Sequence, residues 1–205
     1  CVACHMPSRH YMVVDPRRDH SMRIPRPDLS VSLGVPNACS QCHVGRSDQW
    51  AADTLEAWYG KGRRPGYQRY AAVLKAAHAG EAGAGEGLAA LVLDGSAPSI
   101  ARATALQEMA GYLEQGSLPA IQAGLTSPEP LMRRAAVETL QDVDAAARLQ
   151  LIAPLLGDPV RGVRLAAASA LSDVRAQDVA DPSLRAALER AFGEYLAAQR
   201  LNGDR

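Results

Sequence analysis

From residue 96 onward the chain repeats itself at a period of 31, with residues 96–126, 127–157 and 158 onward falling into register. Ile100, Leu131 and Gly162 share one column, and Met109, Leu140 and Leu171 share another. Arg133-Arg134-Ala135-Ala136 falls on Arg164-Leu165-Ala166-Ala167. A fixed period of this size is left by stacked supersecondary units, none of which can bury its apolar face alone. Each unit reads as a helix, a short turn and a second helix, with Pro128 and Pro159 suiting the first turn of a helix. The period is below the ~34 residues of TPR and the ~40–47 of HEAT or armadillo units. An α-solenoid is therefore the expected architecture, its helical pairs resembling short HEAT-like repeats. Abundant Ala and an aromatic content of only 4% favour close-packed helices over sheets, so the expected class is all-α. A last helix over 182–199 closes the stack, and its charged residues Arg185, Glu189, Arg190, Glu194 and Arg200 suit a capping role.

The first part of the chain has a different chemistry. All four Cys lie between residues 1 and 43, with four of the five His. The first 46 residues hold six Arg, no Lys and three acids. A helix is expected from Ser47 and Asp48 to about Tyr59, with Trp50, Leu55 and Trp58 near one face. Its two Trp either cover a cofactor edge or pack as ordinary core. Gly60, Gly62, Pro65 and Gly66 then break the chain, giving a loop-rich head over 1–64 and a repeat body over 65–205.

The cysteines occupy two copies of one pattern, Cys1-Val2-Ala3-Cys4-His5 and Cys39-Ser40-Gln41-Cys42-His43. Two thiols separated by two residues can be presented by one tight turn, and the adjacent His then faces the same side. This is the pattern of covalent c-type haem attachment, in which the thiols add to the two vinyl groups and the His ligates iron. Two alternatives use the same residues. Two zinc knuckles would need a separation nearer ~15–20 residues than the 34 found, and zinc gives no reason for a His after each pair. A Cys-x-x-Cys disulfide is more often a redox device than a staple.

On the haem reading, Cys1, Cys4, Cys39 and Cys42 attach two haems c, and His5 and His43 are the proximal ligands. His20, in the polar stretch Arg17-Arg18-Asp19-His20-Ser21, is the first candidate for a distal ligand. His10 is the second, with a solvated loop as its alternative. Met6, Met12 and Met22 are near enough to ligate or to pack on a macrocycle. Arg17, Arg18, Arg23 and Arg26 are suited to pair with haem propionates, guanidinium forks matching carboxylates. Pro16, Pro25, Pro27 and Pro36 keep the segment extended. With few bulky side chains here, the haems would supply most of the head's apolar core. His78 suits the C-terminal end of a helix without any metal.

The stretches CVACHMP, YMVVDPRRDHSMRIPRPDLS and LGVPNACSQCH resemble the terminal di-haem segment of multihaem cytochromes c, closely over residues 1 to about 60 and only in kind beyond. The resemblance implies haem-linked roles for Cys1, Cys4, His5, Cys39, Cys42, His43 and His20, and a weaker one for His10. It also implies further haems upstream, one of which His20 could serve, and a tail of HEAT-like or TPR-like repeats.

Nothing in the body looks catalytic, and the expected function is electron transfer rather than enzymatic turnover. The alternative is a haem enzyme acting on a small nitrogen or sulfur oxyanion at an open distal site, with His10, Tyr11 and Arg9 beside it. A zinc-stabilised scaffold is the third reading. Partners are expected to be other redox proteins or sister cytochrome subunits, with self-association into an oligomer or filament left open. The formal net charge is zero, which gives no global attraction to nucleic acid. No apolar run approaches the ~20 residues of a membrane span. Haem attachment of this kind takes place outside the cytoplasm, so a periplasmic or extracellular location is expected. A start on a motif Cys points to a processed or partial chain.

Overall fold

The computed structural model describes residues 2–20, 22, 24–60 and 68–201. The chain divides into two compact units, residues 1–68 and 69–205. The expected breakers Gly62, Pro65 and Gly66 lie outside the described residues.

In the first unit, Val2–His5 form a single helical turn, α1. A hairpin follows, its strands β1 (Ser8–Tyr11) and β2 (Asp15–Arg18) pairing antiparallel with Tyr11 opposite Asp15. These are the only strands among the described residues. Pro16 is tolerated because a two-stranded ribbon has only edge strands. Met12 and Val13 at the tip take positive φ of 49° and 70°. For a β-branched residue such as Val13 that conformation costs on the order of 1–3 kcal/mol. Helix α2 (Pro27–Leu33) starts on the ring-fixed φ of Pro27 and ends at Gly34, whose φ of 67° places it in the left-handed region. Helix α3 (Asp48–Tyr59) is capped by Ser47, whose Oγ accepts from the Trp50 amide at 3.1 Å. Helices α2 and α3 pack together.

The second unit is helical throughout its described residues. Its helices are α4 (Tyr70–His78), α5 (Ala84–Leu93), α6 (Ser99–Glu108), α7 (Leu118–Leu125), α8 (Pro130–Thr139), α9 (Ala145–Ile152), α10 (Arg161–Ala170) and α11 (Pro182–Arg200). Helices α6, α8 and α10 begin at 99, 130 and 161, so the period of the sequence is the period of the structure. Helices α4, α6, α8 and α10 lie side by side, and α5 packs on α7 behind them. The second helix of a unit is short, eight residues in α7 and in α9, and α9 continues as a tight turn over Ala153–Gly157. That brevity accounts for a period below the usual HEAT length. Pro128 and Pro159 lie two residues ahead of α8 and α10, and it is Pro130 that occupies the first helical position.

The columns read from the sequence are the core. Met109, Leu140 and Leu171 are buried, and so are Ala105, Ala136 and Ala167 at the same period. Burying a Leu or Met side chain is worth about 1.5–3 kcal/mol. The alanines let neighbouring helices approach closely. Gly124 of α7 does so most: a Cβ there would meet Ala136 Cβ and Leu106 Cδ1, both at 2.8 Å.

Polar bonds repeat at the same period. Arg133 Nη1 donates to the carbonyls of Ser127 and Pro128 at 2.8 and 3.0 Å. Arg164 Nη1 donates to Asp158 and Pro159, the equivalent carbonyls, at 2.7 and 3.3 Å. Arg102, one period earlier, donates to the Val92 carbonyl at 2.8 Å. Arg133 also forks onto Asp158, with Nε–Oδ2 at 2.6 Å and Nη2–Oδ1 at 2.9 Å, and the Asp158 side chain is only 3% exposed. Arg164 forks onto Glu194 of α11 at 2.7–2.8 Å. Glu194, on the helix expected to close the stack, thus ends the arginine series. Arg148 pairs with Asp173. His78 pairs with Glu108 at 2.8 Å, a contact within the body.

Two outcomes follow from this packing. Gly124→Ala gains about 1 kcal/mol of helix propensity but adds a methyl against an immovable Cβ, at about 1–3 kcal/mol. A net fall in Tm of roughly 3 °C is expected by circular dichroism. Gly111→Ala, whose added Cβ meets nothing within 4 Å, should show none. The second outcome concerns acid. Hydrogen bonds from Arg133, Arg148 and Arg164 hold Asp158, Asp173 and Glu194 below the usual carboxylate range. Groups depressed in the folded state contribute stability above their unfolded value, about 4, and lose it as pH falls through the folded one. Tm should be level from pH 7 to about 5 and fall below about 4.5. Asp158→Asn should lower Tm at pH 7 and shallow that acid slope.

Candidate functional site

Residues of both Cys-x-x-Cys-His patterns line one cavity of about 660 Å³ within the first unit. From α1 come Ala3, Cys4 and His5; from the second pattern come Cys39, Cys42 and His43. Ile24, Pro25 and Ala38 add apolar wall. The remaining side is one face of α3, Trp50, Ala51, Thr54, Leu55 and Trp58, followed by Tyr59. The spacing of that face is helical, so the sequence pattern of α3 builds a cavity wall directly.

The second pattern is held by backbone and by one side chain. Cys39–Gln41 form a tight helical turn, and the His43 and Cys42 amides donate to the Cys39 carbonyl at 2.9 and 3.2 Å. Asn37 Oδ1 accepts from the Cys39 and Ser40 amides at 2.9 and 3.2 Å. Its Nδ2 donates to Ser30 Oγ of α2 at 3.1 Å and to Asp48 Oδ1 of α3 at 2.7 Å. The His43 ring lies 4.8 Å from that of Trp50, tilted by 52°, and the Arg46 guanidinium sits 5.4 Å over Trp50. Burial first, then the neighbouring Cys4 thiol, pushes the Cys39 thiol up, so it keeps its proton at neutral pH. Cys39 and Cys42 are free thiols, as is Cys4. Cys1 lies outside the described residues.

Among the described residues, the other sequence candidates do not line the cavity. His10 is on β1 and His20 just beyond β2; both are exposed and neither lines it. Arg17 pairs with Asp15 at 3.6 Å and stacks on Tyr11 at 4.9 Å. Arg18 donates to the Met6 carbonyl at 3.3 Å, tying the hairpin to the end of α1. Arg26 forks onto Asp28, Nε–Oδ1 at 2.9 Å and Nη2–Oδ2 at 2.6 Å. Arg23 lies outside the described residues. Propionates at the arginines described would therefore compete with partners already in the chain. Among the described residues, no three His, Cys, Asp or Glu side chains gather as ligands to a single ion.

Sequence reasoning missed Asn37 and Arg46. For Asn37 a signal exists: Asn two residues ahead of a turn is the residue that caps it with its own side chain.

Residues 85–172 match the family model for HEAT repeats, so the second unit is a helical repeat. The match covers less than half of the chain and none of the cavity. No curated protein and no solved structure matches the chain. No helix among the described residues is long and apolar enough to cross a membrane.

Proposed function

We propose that the first unit is a c-type cytochrome module that carries two covalently attached haems and relays electrons. One observation carries this reading: both attachment patterns open on a single apolar cavity. A metal-knuckle arrangement would gather its ligands on a point, and among the described residues no three His, Cys, Asp or Glu side chains do so. The cavity volume of about 660 Å³ is that of a site for one small molecule, so two haems would extend beyond it. Its walls suit a flat apolar macrocycle, with the indoles of Trp50 and Trp58 and the small side chains of Ala3, Ala38 and Ala51. Haem, when bound, supplies the one-electron couple.

The chain's own residues do the rest. Cys4, Cys39 and Cys42, with Cys1, are the tethering thiols. His5 and His43 present ring nitrogens beside them. Trp50 flanks the His43 ring, and the α3 face keeps water from the apolar edge. Arg17, Arg18, Arg23 and Arg26 remain candidates for propionate contacts, and His20 and His10 for distal ligation. Groups tethered by turns on one cavity are close neighbours, which favours rapid transfer between them. The helical repeat suits docking of a protein partner. A redox protein or a sister subunit fits that role, as does self-association. Covalent haem attachment implies export to the periplasm or beyond.

A second reading is favoured by His10 and His20, which are exposed and do not line the cavity. An iron left without a sixth protein ligand could bind a small nitrogen or sulfur oxyanion and act as an enzyme centre.

Two experiments test these readings. Intact mass should exceed the 21.7 kDa polypeptide by two haems that survive denaturation, whereas a colourless chain holding zinc would overturn the proposal. His20→Ala should leave one iron high-spin and reactive to carbon monoxide if His20 ligates. A low-spin resonance Raman spectrum unchanged by the substitution would remove His20 from the ligand set. High-spin iron already present in the unaltered chain would favour the enzyme reading.

A further inference from the structure

We infer that Asn37 is the positioning residue of the second haem-attachment turn, fixing Cys39, Cys42 and His43 against the α3 wall; this rests on the haem reading above. A carboxamide has two acceptor sites on oxygen and two donors on nitrogen. Asn37 uses all four. Oδ1 accepts from the Cys39 and Ser40 amides, and Nδ2 donates to Ser30 Oγ and Asp48 Oδ1. The oxygen side thus satisfies the first free amides of the turn, and the nitrogen side anchors it to α2 and α3. Ser30 is 3% exposed, so the anchor reaches the buried part of the unit.

The turn needs this support. A three-residue tight helix has too few internal bonds to hold itself. Yet its geometry decides the chemistry. In attachment each thiol adds across one vinyl double bond: sulfur bonds to the inner carbon, the thiol hydrogen ends on the terminal carbon, and nothing is released or oxidised. Both thiols and the His43 ring must therefore meet one macrocycle in a single orientation. The bond from Asn37 to Asp48 ties the turn to the start of α3, two residues before Trp50, whose ring flanks His43.

No other side chain does the same. Ala leaves two amides and Ser30 without these partners. Asp keeps the two acceptor bonds but sets a second carboxylate against Asp48. Gln adds a methylene and carries the amide past both targets.

The full chain is produced with haem-attachment machinery, and haem is located by peptide mapping. For Asn37→Ala, the species loaded only at Cys1–Cys4 should rise about tenfold over the unaltered chain, consistent with loss of more than one hydrogen bond. Asn37→Asp should show a similar defect. Combining Asn37→Asp with Asp48→Asn exchanges donor and acceptor across the same contact and should restore loading at Cys39 and Cys42. Full loading of the second turn in Asn37→Ala would overturn the inference and leave the two-haem reading intact. Equal loss at both turns, or failure of the exchange to rescue, would reduce Asn37 to a general folding residue and overturn it too. An unaltered chain without any haem would refute the two-haem reading itself, and the inference with it.

Discussion

An apolar cavity stands where the first unit would otherwise have packed side chains. Among its described residues only Pro27, Ser30 and Ala51 are buried. The continuous cluster of buried residues runs from Ala77 to Ala191, entirely in the second unit. A segment with so little buried apolar surface cannot offset the conformational entropy of ordering it, roughly 1–2 kcal/mol per residue for the backbone alone. Its turns are accordingly secured one by one through polar contacts: Asn37 on Cys39 and Ser40, Ser47 on Trp50, Arg26 on Asp28. Such contacts orient a turn but supply little net stability, about 0.5–1.5 kcal/mol each. On the proposed reading, what remains for folding comes from the haems that fill the cavity. The cavity would then be at once the proposed site and the missing part of the core.

The second unit solves the opposite problem. Its helices are mostly too short to be stable alone, and its core is rich in alanines, which contribute little area each. Stability comes from repeating one arrangement. In the two later units an arginine, Arg133 or Arg164, reaches from the first helix to the carbonyls of the turn before it and to a carboxylate further along the chain. Asp158 is bound twice over, by the Arg133 fork and through its backbone carbonyl by Arg164. Adjacent units are therefore coupled through polar atoms as well as through Met109, Leu140 and Leu171. This is nearest-neighbour stability, as expected of a solenoid.

What could be read from the sequence was what periodicity imposes. The 31-residue column containing Met109, Leu140 and Leu171 reappears as buried core because each unit meets its neighbour in one way. The α3 face was legible because Trp50, Leu55 and Trp58 fall together on a helix. Contacts that depend on chain reversal were not. The β1–β2 hairpin carries Arg9, Arg17, Arg18 and Pro16 where strands usually alternate, so no period-2 signal marks it. Arg17 and Arg26 are engaged by acids two residues away, Asp15 and Asp28, a local pairing that a search for distant partners passes over.

The two sources of order also differ in what can change them. The repeat's contacts are among its own side chains and answer to pH and to packing, through Asp158, Asp173, Glu194 and Gly124. The cavity's order depends on side chains that have no apolar neighbour of their own on one side. Trp58 is 71% exposed although it belongs to the wall. An indole left that open in a packed helix loses dispersion contacts and the ~1.5–3 kcal/mol that burial of a large apolar side chain brings. The same holds for Tyr59, half exposed beside it. Placing two large aromatics on the open side of α3 is unfavourable for a free-standing domain and favourable for one whose interior is a planar group. The energetic logic of the first unit thus runs through the same residues as its proposed chemistry.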